Sequence, residues 1–328
     1  MKIFYAIQAT GNGHISRAHQ LLPYLKELGA VDFLLSGSNS TLAVDFPIKY
    51  KSPGLSLFYD TCGTLHYTNT VRKIKHSQVY GDIKNLPLEE YDLIINDFDF
   101  ITAYACKLKK LPSVQFGHQA SFQSNKTPRP DKKSRLGEMI LKHYAPASNY
   151  VGLHFESYDD FIHPPIIKQQ IIESKPEDHG HISVYLPAYQ RHCIESILKE
   201  LAPFEVHWFL PDLKEAKKED NIHYYPVRQG EFNESLRTCH GLITGGGFET
   251  PAEALYMHKK LISIPIGGQY EQLCNAAALK KLGVSTLNEL TDKTKAIVHQ
   301  WLLSENTHKS IQANNIPNTL VQVMKAVR

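Results

Sequence analysis

The stretch 243-ITGGGFETPAEALYMHKKLISIPIGGQYEQLCN-275 decides how the rest of the chain is read. An apolar strand end at Leu242 and Ile243 meets Gly245, Gly246 and Gly247, after which Thr250 and Pro251 open a predicted helix carrying Glu253. Glycines let other groups approach the backbone closely, and the unpaired N–H groups of a helix N-terminus attract anions. A second strand, Leu261 to Ile264, stops at Pro265, and a Gly-Gly turn brings Glu271, Gln272 and Asn275 to another helix start. On neighbouring parallel strands these groups converge at one sheet edge, on one ligand.

Working outward, short apolar runs alternate with helix-length amphipathic segments, the pattern of βαβ units and parallel sheets. Strands are predicted at Ile3 to Ala9, Val31 to Ser36, Leu93 to Asn96, Ser113 to Phe116 and Tyr150 to Phe155. Helices are expected at His14 to Leu28, Phe100 to Lys109 and Leu136 to Tyr144, whereas residues 45 to 90 are less legible. Ser157 to Gly180 contains Pro164-Pro165, which forbids regular helix or central strand, and then gathers charge. The rhythm restarts at Ile182 to Leu186, Val206 to Leu210, Ile222 to Tyr225, Leu242 to Thr244 and Leu261 to Ile264. The expectation is an α/β protein with a first domain at 1–164, a linker at 165–180 and a second domain at 181–328, its last helix, Asn318 to Val327, packing on either half.

At 328 residues, 42% hydrophobic and 21% charged, the chain is long enough for two cores. A net charge of +3 does not point to nucleic acid. Cys62, Cys106, Cys193, Cys239 and Cys274 are scattered and odd in number, so neither a disulfide framework nor a zinc ribbon is expected. Met1 to Ala9 is strand-like rather than a leader and no stretch reaches about 18 apolar residues, so a cytoplasmic location is expected.

After the first strand comes Gly11-Asn12-Gly13-His14. Ser16 stands where a dinucleotide fingerprint needs its third small residue, so NAD is not supported. His14 at the mouth of a cleft can take a proton near neutral pH, or it can simply pack at a helix start. Asp97 and Asp99, ending a predicted buried strand, either orient His14 or cap the next helix. Asp97-Phe98-Asp99 also has the D-x-D spacing that can hold a divalent metal, although no metal is expected.

These motifs resemble the two-domain GT-B glycosyltransferases, two Rossmann-like domains facing across a cleft. The closest group contains the peptidoglycan N-acetylglucosaminyl transferase and the UDP-sugar glucosyl- and glucuronosyltransferases. The G-x-G-H loop, the glycines before Glu253-Ala254, Pro265, Glu271-Gln272 and Asn275-Ala276 match in order and spacing over nearly the whole chain. A bacterial and archaeal subgroup shares a D-F-[DE] strand end, here Asp97-Phe98-Asp99, and a later strand ending near His118-Gln119.

The resemblance implies an inverting, metal-independent transfer from a nucleotide diphosphate sugar, UDP-linked on family grounds, with no cofactor. It places Gly246, Gly247 and Phe248 on the diphosphate and Glu253 on the ribose, and gives Glu271 and Gln272 the sugar hydroxyls. His14 becomes the base, with Asp97, or in second place Asp99, as its orienting partner. Thr250-Pro251-Ala252-Glu253 also reads as a capping box, which would give Glu253 a structural task instead. Arg228 and Gln229 are positioned to meet the nucleobase, and His118, Gln119 and Asp99 are candidates for the acceptor pocket. Tyr185 to Gln190 lacks the second glycine loop of the peptidoglycan enzyme, and His258-Lys259-Lys260 has no functional account. Segment 124–142 holds six Lys/Arg against Asp131 and Glu138; it is either a solvated loop or a peripheral contact with the inner membrane face, serving a lipid or cell-envelope acceptor. Hydrolysis or 2-epimerisation of a nucleotide sugar, and silent binding of one, are the alternatives.

Overall fold

The computed structural model describes residues 1–9, 11–37, 44–54 and 76–327. Cys62 and Thr10 lie outside the described residues. In the first half, β1 (Lys2–Gln8), β2 (Ala30–Ser36), β3 (Ile48–Ser52), β4 (Leu93–Asp97), β5 (Val114–Gly117), β6 (Asn149–Leu153) and β7 (Ile162–His163) form one parallel sheet in the order β3-β2-β1-β4-β5-β6-β7. In the second, β8 (Ile182–Tyr185), β9 (Val206–Leu210), β10 (Lys217–Glu219), β11 (Ile222–Pro226), β12 (Gly241–Gly245), β13 (Lys260–Ile264) and β14 (Ser285–Thr286) are ordered β10-β11-β9-β8-β12-β13-β14. Only β10 runs antiparallel there, paired to β11.

Helices cover both faces, so a central strand such as Leu93–Asp97 is buried at every position and opens on an apolar run, Leu93 to Ile95, before its polar end. Both sheets reverse their winding between two central strands, β1/β4 and β8/β12. A crevice opens at such a switch point, at the C-terminal strand ends. These ends carry Asp97 in one half and Gly245 in the other.

One apolar cluster runs through both halves. It joins Ile3, Tyr5 and Phe116 to Leu242, Phe248 and Leu255 by way of Ile166, Ile167 and Ile171 from the connecting segment. The final helix, Ile316–Lys325, packs against the helix Asn12–Leu28 and β6, and Asn314 Nδ2 donates to Pro164 O at 2.8 Å. His258-Lys259-Lys260 is structural: His258 adopts φ +55°, Lys259 Nζ donates to Cys239 O at 2.8 Å and Lys260 Nζ to Leu302 O at 2.8 Å. The two ammonium groups thereby tie neighbouring loops to the lower end of β13. Among the described residues, no helix is long and apolar enough to cross a membrane.

His181 and His207 stack at 3.8 Å on the second sheet. Burial, and then the neighbouring His181, hold His207 down at about 4. Its ordinary value is about 6.5, so between pH 6.5 and 4 the unfolded chain binds a proton that the folded chain refuses. Stability should therefore fall as pH falls through that window. Urea midpoints at pH 7.5 and pH 5 should show this drop, and His207→Phe should lessen it; an equal drop in the variant would exclude His207 as a source.

Candidate functional site

The first half builds a buried charged cluster. Gly11 caps the helix Asn12–Leu28 in extended conformation, which sets Asn12, Gly13 and His14 in its first turn. Parallel pairing sets Ile7 beside Asp97, so the carboxylate at the end of β4 meets this turn. His14 Nδ1 lies 2.8 Å from Asp97 Oδ1. One turn on, Arg17 grips the same carboxylate with Nε at 3.0 Å and Nη2 at 2.9 Å. Although burial works against ionisation, Arg17 and then His14 hold the Asp97 carboxyl down at about 2. Arg17 Nη2 also lies 3.0 Å from His14 Nδ1, but it already donates to Asp97 Oδ1. An ionised carboxylate only accepts hydrogen bonds, so a proton on Nδ1 satisfies Asp97 and leaves Nε2 as the basic nitrogen. Gly117, at φ +150°, is required: a Cβ there would lie 2.6 Å from Asp97 Oδ1.

Asp99 does something else. Its Oδ2 accepts from Thr102 N at 2.6 Å and caps the helix Phe100–Lys109, while burial pushes its carboxyl up. Phe98 adopts φ +58° between the two aspartates, and each carboxylate serves separate partners. Asp99 is thus placed on a helix cap rather than in a pocket with His118.

In the second half, β12 runs into Gly245, Gly246 and Gly247, and the helix then spans Glu249–Tyr256 with Phe248 at its N-cap. Thr250 is the second helical residue and Phe248 gives no side-chain cap, so the capping box with proline at the first position, the alternative reading of this stretch, is not formed. The physical reason is that the chain already turns helical two residues earlier. Gly246 is tightly enclosed, because a Cβ would come within 2.9 Å of Gln272 Cβ and Pro265 Cβ. Its N–H donates to Gln272 Oε1 at 3.1 Å, and Ile266 N donates to the same oxygen at 2.9 Å. Around Gly247, by contrast, a Cβ would meet open space among the described residues. A cavity of about 110 Å³ opens there, lined by Gly245, Gly247, Thr250 and Gln272 and walled by the Tyr185–Tyr189 loop.

The halves meet through polar pairs. His118 Nε2 lies 2.7 Å from Asn275 Oδ1, its Nδ1 lies 3.0 Å from Leu153 O, and Asn275 Nδ2 donates to Gly246 O at 3.0 Å. The His118 ring stacks on Phe248 at 3.9 Å, and burial holds its imidazole below the ordinary value. Gln119 Nε2 donates to Glu271 Oε1 at 3.1 Å. Arg17 Nη1 bonds Glu249. Glu253 is buried, with Lys168 Nζ 3.1 Å from Oε1; burial still pushes its carboxyl up, offset in part by that ammonium. Arg228 is exposed and caps the helix Gln229–Thr238, its Nη2 donating to Lys214 O at 3.3 Å.

Arg17, Lys168 and Glu249 were not singled out from the sequence. Arg17 had a signal, since residues three apart share a helix face and it follows His14 at that spacing. Lys168, in the connecting segment, had none.

Two seven-stranded, mostly parallel sheets with helices on their faces and polar groups at their facing switch points define a GT-B glycosyltransferase architecture. The chain belongs to the family described as Glycosyl transferase family 1, whose model matches residues 1–304. Solved structures of similar fold include the glycotransferase of kitacinnamycin, 14% identical with a TM-score of 0.62, covering 100% of this chain and 94% of that one. UGT89C1 of Arabidopsis thaliana, complexed with UDP, is 13% identical with a TM-score of 0.57, covering 99% and 94%. SnogD of Streptomyces nogalater is 14% identical with a TM-score of 0.52, covering 98% and 99%. No protein of curated function matches the sequence significantly.

The Lys168–Glu253 pair makes a stability prediction. Lys168→Met strips the counter-charge from a buried carboxylate and should cost on the order of 3 kcal/mol in denaturant titration at neutral pH. Adding Glu253→Met should recover much of that loss. An unchanged midpoint in Lys168→Met would mean that the pair contributes nothing.

Proposed function

We propose that the chain transfers a sugar from a nucleotide diphosphate sugar to an acceptor hydroxyl by a single inverting displacement without a metal. The observation that carries this reading is the His14–Asp97 pair, 2.8 Å apart at the first switch point, in the half that meets the glycine loop of the second. His14 Nε2 takes the acceptor proton during attack on the anomeric carbon, and Asp97 balances the imidazolium as a buried aspartate does in a hydrolase triad. The N–H groups of Gly247 and Phe248 and the N-terminus of Glu249–Tyr256 stabilise the charge growing on the leaving diphosphate. Gly246, with its own N–H on Gln272, serves instead to let the loop approach the following helix. Glu253 grips the ribose diol, while Glu271 and the amide nitrogen of Gln272 read sugar hydroxyls. Arg228 and Gln229 flank the nucleobase side.

The donor is a uridine or thymidine diphosphate sugar; similar folds are complexed with UDP, as in UGT89C1, and with DTDP, as in VinC. We assign 1–164 to the acceptor side and 181–328 to the donor side, with 165–180 as the hinge. The acceptor is read as a lipid or envelope precursor met at the inner membrane face. Support comes from the helix Arg135–His143, where Leu136 and Met139 are exposed beside exposed Lys132, Lys133 and Arg135. Lys126 and Arg129 of the same segment are committed to Asp159 and Glu138. Each free cation near an anionic surface adds about 1 kcal/mol. Flotation with vesicles containing acidic lipid should carry the protein upward, and a protein left wholly in the aqueous fraction would remove the lipid-surface reading.

Incubation with UDP- and dTDP-sugars, without and then with a cell lipid extract, tests the reaction. Transfer that requires acceptor is expected; acceptor-independent release of nucleoside diphosphate would instead mean hydrolysis, and binding without turnover a silent binder. His14→Ala should lower the transfer rate on the order of 10²–10⁴-fold. Full activity in that variant would exclude His14 as the base.

A further inference from the structure

Glu249 is the first residue of the helix Glu249–Tyr256, immediately after the Gly245–Phe248 loop. Its carboxylate bonds Arg17 Nη1 from the opposite half, and Glu249 Oε2 fills the space next to Gly13 so closely that a Cβ on Gly13 would collide with it. The chain therefore places an anion of its own between the donor helix and the turn bearing His14. The charges there are the Arg17 guanidinium and the carboxylates of Asp97 and Glu249, beside the imidazole of His14. A nucleoside diphosphate brought to the same place adds two or more negative charges. Like charges forced together at an interface cost several kcal/mol, so one anion has to leave.

The geometry decides which one. Asp97 is fully buried and held by three bonds from Arg17 and His14. The Arg17 side chain is 2% exposed, whereas that of Glu249 is 23% exposed and reaches solvent by rotating about its own bonds. An arginine fork matches phosphate as well as it matches carboxylate, and it stays charged at any working pH.

We propose that Arg17 is a diphosphate-binding residue and that Glu249 is a self-occluding gate which occupies it until the nucleotide arrives. The inference rests on the reading of the donor site and deepens it by naming what opens that site. Arg17 keeps Nε and Nη2 on Asp97 throughout and passes Nη1 from Glu249 to a phosphate oxygen. The same guanidinium then holds both the partner of the base and the leaving group. The donor is thus sensed at the catalytic pair without any rearrangement of Asp97.

Calorimetric titration of the full chain with UDP, dTDP and uridine tests this. Glu249→Gln keeps the shape and removes the competing charge, so its affinity for the diphosphate that binds should rise about tenfold, or about 1.4 kcal/mol, and the uridine affinity should stay put. Arg17→Lys should lose at least tenfold for the diphosphate and nothing for uridine, with circular dichroism confirming the fold. If Glu249→Gln binds the diphosphate no more tightly than the natural chain, the gate is wrong while the donor site stands. Should Arg17→Lys, folded, bind the diphosphate unchanged, Arg17 acts only through Asp97 and the assignment fails. A natural chain that binds neither UDP nor dTDP would overturn the donor reading itself.

Discussion

A carboxylate with no exposed surface, Asp97, is held ionised by Arg17 and His14, and much of the molecule is arranged to keep it so. Removing a charge from water is costly unless its partners are close and fixed. The cost is met by three polar bonds at 2.8 to 3.0 Å. Parallel register beside β1, the glycine at 117 and the first turn of the following helix all serve that one arrangement. Because Asp97 is always an acceptor, it fixes the tautomer of His14, and that tautomer is what makes the ring a base.

The same constraint reaches the second half through Arg17. A guanidinium with three faces to satisfy uses two on Asp97 and offers the third across the cleft. Around it, His118 against Phe248, Gln119 against Glu271 and Lys168 against Glu253 join the halves through a ring stack, a hydrogen bond and an ion pair. Several of these residues line the surface that a donor has to enter. Binding therefore proceeds by exchange of partners as well as by filling a space.

The repeated strand and helix pattern was legible because strands covered on both faces become continuous apolar runs. Edge strands escaped for the opposite reason: Lys217–Glu219 and Ile48–Ser52 are short or alternate with charges, as exposed edges do. His14 and the glycine loop were visible as local motifs. The choice of Asp97 over Asp99 was not, since it turns on the left-handed backbone at Phe98. Nor were the cross-cleft pairs, with Arg17 and Glu249 separated by 232 residues and Lys168 and Glu253 by 85. Spacing within a helix is written in sequence; which distant carboxylate faces it is written in the packing of two sheets.

The central claim is that the two facing switch points hold one nucleotide between them. Diffraction from crystals grown with UDP tests it most directly. The account predicts the diphosphate between the Gly245–Phe248 loop and the Gly11–Arg17 turn, within hydrogen-bond distance of the Gly247 or Phe248 N–H. Diphosphate bound away from that loop, for example in the cavity of about 500 Å³ beside Lys259 and Lys260 at the far end of the second sheet, would contradict it.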